Sequence, residues 1–425
     1  MDEKTIESII SLIKREVVPA IGCTEPAAVS LAVAKATEML GCVPESISLS
    51  LSGNIIKNAM GVGIPGTGMI GLPIAVALGA LIGKSEYGLE VLRDVDEAAV
   101  ERGREYIAGD HISISHCVDA PSNLHIDVEV KGDGRTAKAI ISGSHQNFIY
   151  LEKNGEVILD KCCEADCCGS DDADIVLTAD MVYRFALETD VEKLRFILAA
   201  KDLNSAAAEL GMTGKFGHSL GAVLNSGQGL IGDSPMEHIM ALTSAACDAR
   251  MGGAPIAVMS NSGSGNQGIT ATMPVVSYAK DIDATEEQTI RALVLSHLTS
   301  IYIKQSLGRL SALCGCVVAS TGASAGLVYL MGGDYNQVCA AIKNMVANLT
   351  GMICDGAKPA CAMKISSGVS TAVMSAMLAM NGKCVSSSEG IISEDIDKTI
   401  RNLTSIGREA MQETDKLVLR IMVEK

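Results

Sequence analysis

The sequence contains no tryptophan, and Phe and Tyr raise the aromatic share to only 3%. Its core must therefore be built from Ala, Val, Ile, Leu and Met. Basic residues are also short: 34 Lys and Arg face 50 Asp and Glu, for a formal net charge of −16. The bases come singly or in small groups such as Lys14-Arg15, with acids close by. The lack of a basic patch argues against a phosphate backbone or an anionic membrane surface as a partner. The seven histidines form no HxxxH or HExxH pattern. No secretory leader opens the chain. "MDEKTIESIISLIKREVVPAIG" is polar and then amphipathic, with Ile6, Ile9, Ile10, Ile13 and Val17 at helical spacing.

Cysteine, by contrast, is plentiful. Fourteen cysteines without a leader point to a reducing cytoplasm, hence to thiols or metal rather than disulfides. Several stand too close for easy pairing: Cys162-Cys163, Cys167-Cys168 and Cys314-Gly-Cys316. The apolar share of 48% makes the chain globular, and 425 residues can bury a sizeable core. Glycine, at 42 residues, implies tight loops and close backbone packing. The stretch Gly61–Gly83 carries no charge over 23 residues, long enough to span a membrane. Its seven glycines and two prolines argue instead for a glycine-rich loop followed by a core helix.

The pattern along the chain predicts an α+β fold. A helix is expected over 3–18 and another from Pro26 to Leu40. "ESISLSLSG", "HISISHCV", "LHIDVEV" and "TAKAIISGSH" alternate in strand fashion. "NFIYLEKNGEVILD" is a hairpin by its Asn-Gly turn. These strands form one mixed or antiparallel sheet between about 45 and 160. From about 178 onward the pattern is helical. The expected division is an α+β domain over 1–175 and a mainly helical domain over 176–425, joined through the acidic connector "KCCEADCCGSDDADI".

Four constellations could carry chemistry. Cys314 and Cys316 in "LCGCVVA", with Cys354 and Cys361 in "ICDGAKPACAMKISSG", offer soft thiolates suited to an iron–sulfur cluster. Buried structural cysteines are the other reading. Cys23, in "IGCTEPAAVSLA", precedes a helix start, where the macrodipole favours a thiolate base or nucleophile. A structural turn cysteine is its plain counterpart. The loops Ser52–Gly68 and Ser260–Thr270 mix Gly with Ser, Asn and Thr. They either cradle a carboxylate or are tight turns. Neither fits the P-loop or dinucleotide fingerprint in its required context. "CCEADCC" lies in the acidic connector without a histidine nearby and reads as a peculiarity of this chain.

Five motifs in order, "GCTEPAAVSLA", "SGNIIKNAMGVGIPGTG", "SGSGNQGITATMPV", "LCGCVVA" and "ICDGAKPACAMKISSG", resemble the L-cysteine desulfidase family, also called iron–sulfur cysteine desulfhydrase. The likeness spans the chain. The C-terminal half also looks like the catalytic chain of iron–sulfur L-serine dehydratases, in which the gap between the last two cysteines is longer. The resemblance implies a 4Fe-4S cluster held by three cysteines with one iron open. Cys354 and Cys361 would be two ligands. The third lies in CGC: the dehydratase motif points to Cys316, the desulfidase spacing to Cys314. Cys23 matches the family's proposed base. Ser52, Asn54, Thr67, Ser264, Asn266, Gln267 and Ser366 become candidates for holding the substrate, with Lys57 and Lys364 behind them. The implied reaction is β-elimination of L-cysteine to pyruvate, ammonia and sulfide, in an oxygen-sensitive cytoplasmic enzyme. L-serine dehydration is the alternative. A non-catalytic iron–sulfur sensor and a pyridoxal phosphate enzyme fit the sequence less well. The expected partner is a small amino acid. The large apolar helical half makes a homodimer an option.

Overall fold

In the computed structural model, residues 1–161, 175–226, 232–308 and 311–424 are described. The Cys162–Cys168 group lies outside them, next to the expected domain boundary.

Helix α1 (Glu3–Glu16) starts where Asp2 accepts the Thr5 amide at 2.9 Å, and it buries Ile9, Leu12 and Ile13 along one face. Strand β1 (Pro19–Ile21) follows, then α2 (Thr24–Leu40), which ends at Gly41. Strand β2 (Ser46–Leu51) turns Ile47, Leu49 and Leu51 inward and its serines outward. The crossover to β3 (Ile112–His116) carries α3 (Gly53–Ala59), α4 (Leu72–Leu81) and α5 (Glu97–Ala108). Strands β4 (His125–Gly132), β5 (Arg135–Ser142), β6 (Phe148–Lys153) and β7 (Glu156–Asp160) complete one six-stranded sheet in the order β3-β2-β4-β5-β6-β7. Only β2 and β3 run parallel, so the sheet is mixed. The β6–β7 turn is the expected Asn-Gly. An Asp133-Gly134 turn does the same for β4–β5, with positive φ at both residues of each pair. Helix α2 lies across β4 and β5, α4 packs on α2, and α5 packs on α4. The uncharged stretch thus ends in a short helix buried within this layer.

The second half is helical, as expected. It comprises α6 (Ala179–Glu188), α7 (Val191–Leu194), α8 (Leu198–Gly211), α9 (Leu220–Leu224), α10 (Pro235–Met251), strand β8 (Ala257–Met259), α11 (Gly265–Asp281), α12 (Glu286–Leu307), α13 (Gly315–Leu330), α14 (Tyr335–Leu349), α15 (Cys361–Met380), α16 (Ile396–Ser405) and α17 (Met411–Glu424). Helix α12 opens with a capping box at Thr285 and Gln288 and is buried on nearly every side, so it forms the axis of this core. Among the described residues one helix, Cys361–Met380, is long and apolar enough to cross a membrane; 56% of that stretch is buried in the fold.

Links between the halves include these. Strand β1 pairs antiparallel with β8, Pro19 opposite Met259. At the other end of the chain, Leu419 of α17 joins the core beneath the sheet.

Candidate active site

The β1–β8 pairing sets the turn before α2 beside the Ser260–Gln267 loop. Gly22 sits at φ +65°, and a Cβ there would stand 2.6 Å from the Pro65 ring. Only glycine makes that turn without a clash. It delivers Cys23 to the N-cap of α2. The Cys23 thiol donates to Glu25 Oε2 at 2.8 Å, Thr24 donates to the same oxygen at 3.1 Å, and Asn58 Nδ2 donates to Oε1 at 3.2 Å. Both side chains are buried. Burial pushes the Cys23 thiol well above its ordinary value, and the Glu25 charge pushes it further. Burial also works to raise Glu25. The His145 charge, the Cys23 donor, its own amide and Arg250 outweigh that and hold the carboxyl below its usual range. This corrects the expectation of a helix-stabilised thiolate: desolvation beside a carboxylate overrides the dipole, and the pair keeps its one proton on sulfur.

The thiols at the other side are placed by a short backbone pairing. The Cys314 amide donates to Met352 O at 3.0 Å, the Cys354 amide donates to Ala312 O at 2.7 Å, and Leu313 bridges Ile353. Cys314 and Cys354 therefore face each other. The Cys314 thiol donates to the Cys354 sulfur, which raises Cys314 and lowers Cys354 against the effect of burial, with Lys57 and Lys364 adding to the fall. The chain then turns through Gly356 at φ +92°, where a Cβ would lie 2.1 Å from Lys57 O, and returns as α15 with Cys361 at its first position. Burial raises the Cys361 thiol, and the Cys354 charge adds to the rise. Asp355 is pushed up by burial, yet bonds from Lys358 and Lys364 bring it down to about 2. Lys364 also donates to Ile353 O at 2.8 Å.

Cys316 points elsewhere. Its thiol donates to Lys364 O at 3.1 Å and packs where a Cβ on Gly368 would come within 2.5 Å. Its sulfur fills the α13–α15 contact, and burial, with the Cys361 charge, pushes it up to about 12. Cys314, Cys354 and Cys361 form a trio at the loop, and Cys316, bonded to Lys364 O, lies close enough to feel the Cys361 charge and to raise Cys314. The trio stands at loop and helix ends, with Lys57, Lys358 and Lys364 around it. A donor set of three soft thiols with cations nearby fits an iron–sulfur cluster with one iron left open.

Helix α3 joins the two groups. Lys57 backs onto Gly356 on one side, and Asn58 contacts Cys23 and Glu25 on the other. Arg250, at the end of α10, closes the space. It is 3% exposed; Nη1 donates to Asn266 Oδ1 at 2.9 Å, and Nε has no partner. Its charge reaches Cys23, Glu25 and Cys247. No carboxylate pairs with it among the described residues. Gln267 lies against Gly315, between Cys314 and Cys316, with Oε1 buried and unbonded. A cavity of about 150 Å³ opens beside Cys23, bordered by Pro65, Gly66 and Arg93. Arg250, Cys314, Cys354 and Cys361 do not line it.

The other candidates divide. Asn266 and Gln267 are in the site, and Ser264 supports them by capping α11. Ser366 is buried on α15, beside the Cys316–Lys364 contact. Asn54 is half-buried, and among the described residues its side chain makes no hydrogen bond. Ser52 instead ties β2 to β4, donating to Asn123 O at 2.9 Å and accepting from the His125 amide. Thr67 closes its own turn on Ile64 O at 2.7 Å. Glu25, Asn58, Arg250 and Cys247 were not singled out from sequence. Glu25 read only as a helix-start acid, and nothing near Arg250 in "DARMGG" marks it.

Residues 86–420 match the family model described as the serine dehydratase alpha chain. The chain belongs to that family. Its match includes the thiol trio, Arg250, Asn266 and Gln267, and leaves out Cys23, Glu25 and Lys57. Relatives of full length carry the name UPF0597 protein. One from Phocaeicola vulgatus is 61% identical over 99% of this chain and 98% of its own length. One from Bacteroides thetaiotaomicron is 60% identical over 100% and 99%. One from Porphyromonas gingivalis is 51% identical over the whole of both chains. Membership in the serine dehydratase alpha chain family points to a lyase-type enzyme and relates the chain to iron–sulfur dehydratases.

Proposed function

We propose that this protein is a lyase that eliminates sulfide from L-cysteine, leaving pyruvate and ammonia. Cys314, Cys354 and Cys361 would hold a 4Fe-4S cluster. The observation that carries this reading is that adjacent residues of α3 touch both groups, Lys57 the 354–361 loop and Asn58 the Cys23–Glu25 pair. When bound, such a cluster with an open iron supplies a Lewis acid for the substrate's leaving group.

The chain's own residues do the rest. Arg250, already aligned by Asn266 and free at Nε, takes the α-carboxylate in a fork. The apolar wall beside Cys23 keeps water from the α-carbon. Glu25 accepts the Cys23 proton as the sulfur takes the α-proton, so the pair goes from one proton to two. Loss of the β-substituent gives aminoacrylate, which tautomerises to an imine, and water releases pyruvate and ammonia. The reaction consumes one water and needs no oxidant.

L-serine is the second reading, favoured by the name of the matching family. Protein reconstituted with iron and sulfide under anaerobic conditions decides between them. Sulfide and pyruvate from L-cysteine support the proposal. Pyruvate from L-serine alone moves the substrate to the hydroxyl. Iron-loaded protein that turns over neither overturns the lyase reading. A reducing cytoplasmic setting, loss of activity in air and a homodimer belong to the same proposal.

A further inference from the structure

A cluster of acids and one histidine lies at the far ends of the two helices that hold Arg250 and Asn266. Asp233 precedes the cap of α10, Glu237 and His238 lie in its first turn, and Asp281 is the last residue of α11. His238 Nδ1 is 3.0 Å from Asp281 Oδ1. Nε2 faces Asp233 Oδ1 at 2.9 Å and Glu237 Oε2 at 3.7 Å. One ligand atom from each of Asp233, Glu237 and His238 falls within 4.8 Å of the others.

With its Nδ1–H given to Asp281, the neutral ring would turn its Nε2 lone pair toward two carboxylates. Three acceptors converging on one point need a positive occupant. A proton on Nε2 would serve Asp233 alone. Glu237 would gain only the charge of the ring: its side chain is 9% exposed, its Oε2 stands 3.7 Å from Nε2, beyond hydrogen-bond reach, and its Oε1 has no donor among the described residues. A buried carboxylate without a donor is costly, and a divalent cation answers all three groups at once. The N-terminus of α10 opposes a cation, but the C-terminus of α11 favours one, so the helix dipoles offset and the acids decide. Asp281 then has the place of the carboxylate that orients a metal-bound histidine from behind.

We infer that Asp233, Glu237 and His238 form a divalent-cation site, with Asp281 as the orienting carboxylate. One imidazole and two carboxylates, open to solvent on the Asp233 side, suit Mn²⁺ or a similar ion completed by water. The site lies about 18 Å along α10 from Arg250, at 1.5 Å per residue, too far to touch substrate. Its task is to clamp the start of α10 to the end of α11.

Mn²⁺ is also the right probe, because the many thiols of this chain compete poorly for it. The full-length iron-loaded protein is titrated with Mn²⁺ under anaerobic conditions, and free Mn²⁺ is followed by its EPR signal. One tight site per chain is expected. Asp281→Asn should weaken it roughly 10–100-fold, the loss typical of an outer-shell partner. Asp233→Asn and Glu237→Gln should weaken it at least as much. Asp233 is 94% exposed, so its variant tests the site without threatening the fold. Pyruvate formation by Asp233→Asn should match the parent protein. No binding up to millimolar Mn²⁺ overturns the inference, and Nε2 then holds a proton. Binding that survives the Asp233→Asn, Glu237→Gln pair also overturns it, and points to the acidic stretch near Asp171. Neither result bears on the proposed lyase reaction.

Discussion

Cys23 and Glu25 share one proton, and the environment fixes where it sits. Glu25 is held below its ordinary 4.5 and Cys23 well above its ordinary 9.0, so the pair keeps that proton across the neutral range. Alkylation of Cys23, located by mass spectrometry, should therefore stay slow until the medium is more basic than pH 9. In Glu25→Gln the neighbouring charge is gone, so labelling should begin at lower pH. A midpoint near pH 7 in the parent protein would contradict the pairing. Removing either partner, in Cys23→Ala or Glu25→Gln, should lower kcat about 10²–10⁴-fold, the usual share of proton transfer. Arg250→Lys should act differently, because an ammonium cannot reproduce the fork. Its KM should rise more than its kcat falls, as steady-state kinetics would show. Cys23 and the thiols could be read from sequence because their motifs are local. Arg250 could not, because its partner Asn266 is brought to it only where the end of α10 packs against the start of α11.

At the scale of elements, local chemistry was readable and long-range pairing was not. Period-two alternation marked β2 to β7, and the Asn-Gly pair marked a turn, because both depend on neighbours in the chain. The three-residue strands β1 and β8 carry no such pattern, yet their pairing places Cys23 against the second glycine loop. Ser52 and Thr67 show how loop composition and local bonding differ. Their loop composition suggested a ligand cradle, whereas their hydroxyls satisfy the fold's own backbone. Helix α17 gives a prediction of its own. Lys57 is 2% exposed and pairs with Asp415 from this last helix. Asp415→Ala would strand a buried ammonium. By the cost of breaking a buried pair, stability should fall by about 3 kcal/mol, measurable by denaturant unfolding. Gly356→Ala is a second test at this scale. Its Cβ would strike Lys57 O at 2.1 Å in a left-handed backbone, so the 354–361 loop must move. Iron content should drop while far-UV circular dichroism stays unchanged.

For the whole molecule, the question is whether the candidate cluster site exists before anything binds to it. Cys314 caps α13, Cys361 opens α15, and Cys354 is held by the short pairing with residue 312, all against a core built on α12. The positions are set by helices that pack through Ala, Gly, Val and Leu, not by the thiols. This differs from small metal-folded domains, where ligand binding and folding are one event. The iron-free protein should therefore keep its helical circular dichroism and melt cooperatively. Loading raises stability only by mass action, because the cluster binds the folded state: about 4 kcal/mol where the free ligand stands a thousandfold above its dissociation constant. Thermal melts of the same preparation before and after anaerobic reconstitution measure this. Removing a ligand in Cys354→Ser should abolish the rise and leave the iron-free melting point close to that of the parent. An iron-free chain with a coil-like spectrum would mean that the thiols organise the helices, and the order of causes argued here would be reversed.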